Sequence, residues 1–133
     1  MAEPDCYCSA LRRATRRLSA DYDAALSGTG INIAQFSLLR SIERRGTVSL
    51  SALGRALDLD RSTVGRNLRV LERRALVRPA PRKDGREAGF ELTETGRATL
   101  EAARGPWRRA QQEVEARLGS ESVAALLAKL AAV

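Results

Sequence analysis

Between Asp60 and Arg74 the chain reads DRSTVGRNLRVLERR, and five of these residues are arginine. At roughly 100° per residue on a helix, Ser62, Arg66, Arg69 and Arg73 fall on one line, with Thr63 and Asn67 on its shoulder. Val64, Leu68 and Leu71 form an apolar stripe on roughly the other side. Guanidinium, amide and hydroxyl groups in this pattern recognise polyanions. Arginine can bond guanine O6 and N7 together, and asparagine can do the same to adenine N6 and N7. A helix of this width enters the major groove of B-DNA, and its N-terminal end meets the bases. That places Arg61, Ser62, Thr63, Arg66 and Asn67 against base edges or their surroundings. Arg69 and Arg73, one and two turns further on, face phosphates. Ser49, at the start of the preceding helix, could hold a phosphate through its backbone N–H.

The rest of the composition supports this reading. The chain has 133 residues and a net charge of +7, which fits one domain. Residues 40 to 86 hold 13 basic and 5 acidic side chains, a net +8, so this segment carries the whole excess. Such a concentration is the footprint of a surface made for polyanions; a solvated arginine-rich face is the bland alternative. Aromatic residues make up only 4%, so aliphatic side chains must fill the core. A domain this small gains by sharing a core with a second copy.

Helices and turns must position the arginine row. Cys8, Leu11, Leu18, Tyr22 and Ala25 recur at helical spacing from about Asp5 to Leu26, and Ser27-Gly28-Thr29-Gly30 ends that helix. Asn32 can cap a second helix running to about Arg45. Thr47-Val48 reads as an extended link. Ser49 caps a short third helix, Asp58-Leu59 makes a tight turn, and Asp60 caps the fourth helix. Asp84-Gly85 then marks a hairpin with arms near Leu76–Pro79 and Gly89–Leu92, Pro79 confining its arm to an edge. Its tip, Arg82-Lys83-Asp84-Gly85-Arg86, offers Lys83 and Arg86 to the minor groove, with Asp84 orienting an arginine. Thr93 caps a long fifth helix to about Leu118, with Leu100, Ala103, Trp107, Ala110 and Val114 along one seam and an expected kink at Gly105-Pro106. Gly119 closes it and Ser120 opens a sixth helix. The expected fold is mainly α: a winged helix-turn-helix over 31–92, with a small β-hairpin wing, and helices at 1–30 and 93–133 for dimerisation.

Other chemistry is sparse. There is no histidine, which removes the commonest general base and metal ligand. No nucleophile–base pair, phosphate-binding glycine loop or metal-ligand cluster stands out, so neither an enzyme nor a cofactor is expected. Cys6 and Cys8 follow no apolar signal segment and no stretch is long enough to span a membrane, so the expected setting is a reducing cytoplasm. Cys8 shares the stripe of Leu11 and reads as a small buried hydrophobe. The alternative is a thiol sensor of oxidants or thiophilic metals, with Arg12 and Arg13 lowering a thiol pKa. A helical i, i+2 pair points to different sides, so a Cys6–Cys8 bridge would require unwinding, and a bridge between subunits is the easier geometry. A small-molecule effector could instead occupy a pocket near Tyr22, Phe36 and Trp107, aromatics that are also candidates for the core.

The chain resembles the MarR family of bacterial transcriptional regulators. INIAQFSLLRSIERRG is similar to that family's second helix, and SLSALGRALDLDRSTVGRNLRVLERRALV to its helix-turn-helix. KDGREAGFELTETG is similar to its wing, with Asp84 and Arg86 at the tip and Leu92, Thr93 and Gly96 at the exit. The resemblance implies a homodimer with interlocked terminal helices, binding a palindromic operator on double-stranded DNA, repressing genes, and released by a ligand or oxidant. Non-specific architectural DNA binding is the competing function. Ala75 replaces the family's usual glycine, so the fourth helix is expected to end without a left-handed residue. Glu87 is unusual after the wing arginine.

Overall fold

The helix boundaries follow from their caps. The computed structural model describes residues 2–81 and 88–133, which form six helices and three short strands. Helix α1 spans Tyr7–Ala25 and α2 spans Ile33–Arg45. Asn32 caps α2 reciprocally: its side chain accepts from the Gln35 N–H, and the Gln35 side chain accepts from the Asn32 N–H. Strand β1 is Val48–Ser49 and α3 is Leu50–Leu57, capped by the Ser49 hydroxyl. Asp58, in the left-handed region at φ 52°, turns the chain into α4, Arg61–Arg73, which Asp60 caps. Strands β2 (Val77–Ala80) and β3 (Gly89–Leu92) follow, then α5 (Glu94–Leu118) and α6 (Ser120–Leu130).

The sheet order is β1-β3-β2, antiparallel throughout. Pro79 therefore sits on an edge strand, where its missing N–H costs no ladder bond. The two residues of β1 cover the first half of the far edge of β3, with Val48 opposite Phe90 and Ser49 opposite Gly89. Arg78 pairs with Glu91, directly opposite in the register, at 2.7 Å. This is a winged helix-turn-helix, mainly helical, as the sequence leads one to expect.

Phe36, Leu38, Leu39 and Ile42 of α2, Leu53 of α3, and Val64, Leu68 and Leu71 of α4 are buried together. Val48, Val77 and Leu92 from the sheet and Leu100 and Ala103 from α5 join them. The seam along α5 is thus largely core of a single chain, and α5 runs through Pro106 as one helix. Pro106 still leaves one backbone acceptor without its usual donor.

The end of α4 corrects one expectation. Ala75 adopts φ 58°, so the helix does end on a left-handed residue although that residue is not glycine. Its N–H donates to the Glu72 carbonyl, and the Leu76 N–H donates to the Leu71 carbonyl, both at 2.9 Å. These are the paired bonds of a Schellman ending, closed by the buried Leu71 and Leu76. Thr93 secures the next junction: its hydroxyl donates to the Ala75 carbonyl at 2.6 Å and accepts from the Gly96 N–H at 2.9 Å. At Gly96, α5 passes so close to Leu76 that any Cβ would overlap the Leu76 carbonyl oxygen. Leu92, Thr93 and Gly96 are thereby explained as core residue, cap and crossing point.

Helix α1 departs most from its expected burial. None of its residues is buried, Tyr7 is 82% exposed, and Cys8 and Leu11 also face outward. The apolar side chains Leu118, Leu126, Leu127 and Leu130, at the other end of the chain, are exposed too. Leu26, just beyond α1, is the residue of that region that reaches the core.

Candidate nucleic-acid interface

The packing of α4 decides which of its side chains face outward. With Val64, Leu68 and Leu71 buried, Ser62, Arg66, Arg69 and Arg73 lie along the exposed side. Arg61 is exposed at the first turn, and Thr63 and Asn67 are half-buried on the flank. The Asp60 Oδ1 accepts from the Thr63 N–H at 2.6 Å and from the Ser62 hydroxyl at 3.1 Å. Hydrogen bonds from the Thr63 backbone, then the Thr63 and Ser62 side chains, hold the Asp60 carboxyl below the usual carboxylate range. The Arg66 guanidinium donates to the Thr63 hydroxyl at 3.3 Å, which holds the two side chains together on the first turns of α4. Arg69 and Arg73 have no ion-pair partner among the described residues, and Glu72 is the only carboxylate on α4. The result is a solvated row of guanidinium groups on a rigid helix.

The structure brings most of the sequence-derived set onto this face, but not Ser49. That residue is 5% exposed, its hydroxyl accepts from the Ala52 N–H at 3.1 Å, and its backbone belongs to the β1–β3 pairing. Capping engages the hydroxyl, whereas the expected phosphate contact runs through the Ser49 backbone N–H. Arg61 donates to the neighbouring Ser51 hydroxyl at 3.2 Å, linking α4 to α3. The expectations for Lys83, Asp84, Arg86 and Glu87 lie outside the described residues.

The aromatic trio is engaged in packing. Phe36 is 1% exposed and stacks on Trp107 with ring centroids 5.3 Å apart. The Arg40 guanidinium lies over the Trp107 ring, 4.5 Å from its centroid. The Tyr22 hydroxyl donates to the Gln111 side chain, joining α1 to α5. Burial, with the Glu115 carboxylate adding to it, raises the Tyr22 pKa. Phe36 is therefore a core residue.

Both cysteines are exposed on the single chain, so Cys8 takes no part in this chain's own core, against what its spacing suggests. Cys6 is the N-cap of α1 with φ −70° and ψ 116°, outside the helix, so the two thiols are not an intrahelical pair. Hydrogen bonding from Ser9, backbone before side chain, and from the Cys8 backbone lowers the Cys6 pKa. This is the expected effect of an open helix N-terminus on a thiolate. Among the described residues no three His, Cys, Asp or Glu side chains gather as a metal site.

Sequence reasoning missed Arg74, which looks like one more charge in the basic run. Its guanidinium instead donates to the Gly30 carbonyl and, at 3.5 Å, to the Gln35 Oε1. Only its angular offset of roughly 100° from Arg73 on the helix hinted at a separate role.

With that geometry established, the comparisons are specific. The sequence pattern that defines the MarR family matches residues 29–87. The chain is similar to the M. tuberculosis transcriptional regulator MosR, at 36% identity and a TM-score of 0.83, over 98% of this chain and 96% of that one. It is also similar to MosR in a complex with DNA, at 39% identity and a TM-score of 0.84, over 95% and 93% of the two chains. A probable transcriptional regulator from Pseudomonas aeruginosa matches at 27% identity and a TM-score of 0.86, over 96% of each chain. Among curated proteins none matches.

Proposed function

The chain belongs to the MarR family of transcriptional regulators, and on that footing we propose that it is a homodimeric repressor of palindromic operators. It is not an enzyme. The observation that carries the DNA reading is the outward row Ser62, Arg66, Arg69 and Arg73 opposite the buried Val64, Leu68 and Leu71. The MosR–DNA complex supports the same use of the fold. Arg66 and Asn67 read bases, with Arg61, Ser62 and Thr63 around them, while Arg69 and Arg73 hold phosphates. Lys83, Asp84 and Arg86 extend the contact as the wing.

Residues 31–92 form the DNA-binding part, and 1–30 with 93–133 form the dimer helices. A 19-residue helix with no buried residue gains little from one chain's core. Tyr7 and Leu11 on α1, with Leu118, Leu126, Leu127 and Leu130 at the opposite terminus, supply the apolar area that a second copy would cover. Two copies of α4 then meet successive major grooves, about 34 Å apart. Footprinting on the DNA upstream of the protein's own coding sequence tests this. Two symmetric protected half-sites about one helical turn apart are expected. A single asymmetric footprint, or uniform protection, contradicts it.

A second reading concerns the signal. Cys6 and Cys8 are exposed, Cys6 stands on extended backbone, and its thiolate is favoured. A peroxide would oxidise the Cys6 thiolate to a sulfenic acid, releasing water once a proton is supplied. The Cys8 thiol would then displace a second water to give a disulfide and unwind the first turn of α1. Cys6→Ser and Cys8→Ser should both keep the protein on DNA under peroxide. Release that persists in both variants rules this signal out, leaving a small-molecule effector.

A further inference from the structure

We propose that Arg74 is a positioning residue that sets the tilt of α4 against the corner between α1 and α2, and thereby the half-site spacing the dimer accepts. This rests on the DNA-binding role proposed above. The geometry is particular. Arg74 is the C-cap of α4, held there by the left-handed Ala75 and the Schellman bonds that follow. It points away from the Arg66, Arg69 and Arg73 row and donates to the Gly30 carbonyl and the Gln35 Oε1. Gly30 presents that carbonyl from a left-handed conformation, φ 82°, and a Cβ there would come within 3.3 Å of the Arg74 guanidinium.

Gln35 is itself committed to the α2 cap. The same corner is tied to α1, because the Asp23 Oδ1 accepts from the Ile33 N–H at 2.8 Å. One continuous set of hydrogen bonds therefore joins the proposed dimer helix, the start of α2 and the end of α4. Elsewhere α4 packs most extensively on α3 and β2, and the strut adds a direct polar tie from its end to the α1–α2 corner. A rigid fork can hold both acceptors at once, which an ammonium group on a flexible stem does less well.

The lever is long enough to matter. Thirteen residues make α4 about 20 Å long. A tilt of about 10° at the Arg74 end moves the opposite end by about 3.5 Å, close to one base-pair step. Without the strut, the two recognition helices of a dimer should tolerate half-sites that are one step closer or further apart.

The test uses full-length protein and a duplex that the wild type selects from a randomised pool, together with versions carrying one base pair more or fewer at the centre. Arg74→Ala and Arg74→Lys are compared with Arg73→Ala. Both Arg74 variants should lose affinity for the selected spacing by roughly ten-fold, the scale of a charge-assisted hydrogen bond. They should discriminate less between spacings, and their salt slope should stay that of wild type. Arg73→Ala should keep the spacing preference and lower the salt slope by about one. An unchanged spacing preference in Arg74→Ala, or a slope lowered by about one, overturns the proposal. A second arm needs no DNA. In Arg74→Ala the amides of Asn32 and Ile33 should exchange faster together with the end of α4, and faster exchange confined to α4 also overturns it. If wild type selects no duplex, the DNA-binding reading fails by itself, and exchange confined to α4 would separately remove the strut.

Discussion

Ala75→Gly should stabilise the protein. Ala75 holds φ 58° at the residue that closes α4. A residue with a Cβ pays about 1–2 kcal/mol in the left-handed region. Glycine removes that strain but adds unfolded-chain entropy worth about 0.4–1 kcal/mol. The position lies beyond the helix, so glycine's interior penalty does not apply, and the net gain is about 0.5–1 kcal/mol. Urea unfolding followed by circular dichroism measures it, at fixed protein concentration because a dimer's stability depends on it. With a slope near 2 kcal/mol/M, the midpoint should rise by roughly 0.3–0.5 M and the slope should not change. DNA affinity should be unaffected, since the two Schellman bonds use the backbone alone. Asp58→Gly provides an internal comparison. Its φ is 52°, but aspartate tolerates this region better, so its gain should be smaller. A midpoint that stays put or falls in Ala75→Gly, with an unchanged slope, would refute the strain argument.

The other expectations concern the junctions and the exposed row. Gly96→Ala forces α5 away from the Leu76 carbonyl, and thermal unfolding should register a loss of about 2–3 kcal/mol or more. The Asp60 carboxyl is more acidic folded than unfolded, so its contribution is present above the unfolded value near 3.9 and is lost as pH falls through the folded value. Amide exchange at Thr63 should therefore accelerate in that acid range, and Asp60→Asn, which still caps, should remove the dependence; an identical pH profile in the variant would exclude Asp60 as its source. Arg73→Ala should weaken binding to matched and unmatched duplexes alike, which titrations at several salt concentrations would show.

Local chemistry made much of the fold readable. Asn32, Ser49, Asp60 and Thr93 each cap the helix they precede, because an N-cap depends on the few residues around it. The outward and inward faces of α4 followed from its 3.6-residue period. What escaped depends on partners far along the chain. Arg74 finds acceptors 44 and 39 residues away, so its charge alone could not separate a strut from a DNA contact. Ser49 carries an N-cap signature that says nothing of its pairing with β3. Cys8 lies on an apolar stripe that belongs to no core of this chain, since periodicity marks a face without saying what covers it. Ala75 lacks the glycine signal for a left-handed ending, yet the backbone bonds and the Leu71–Leu76 closure impose one.

The most direct test of the central claim is competition between a selected duplex and its scrambled counterpart, read by fluorescence anisotropy at physiological salt. The outward face of α4 predicts a preference of about 10³-fold or more for the selected duplex, shrinking sharply in Arg66→Ala. Equal affinity of the wild-type protein for both duplexes, or a preference untouched by Arg66→Ala, would contradict it.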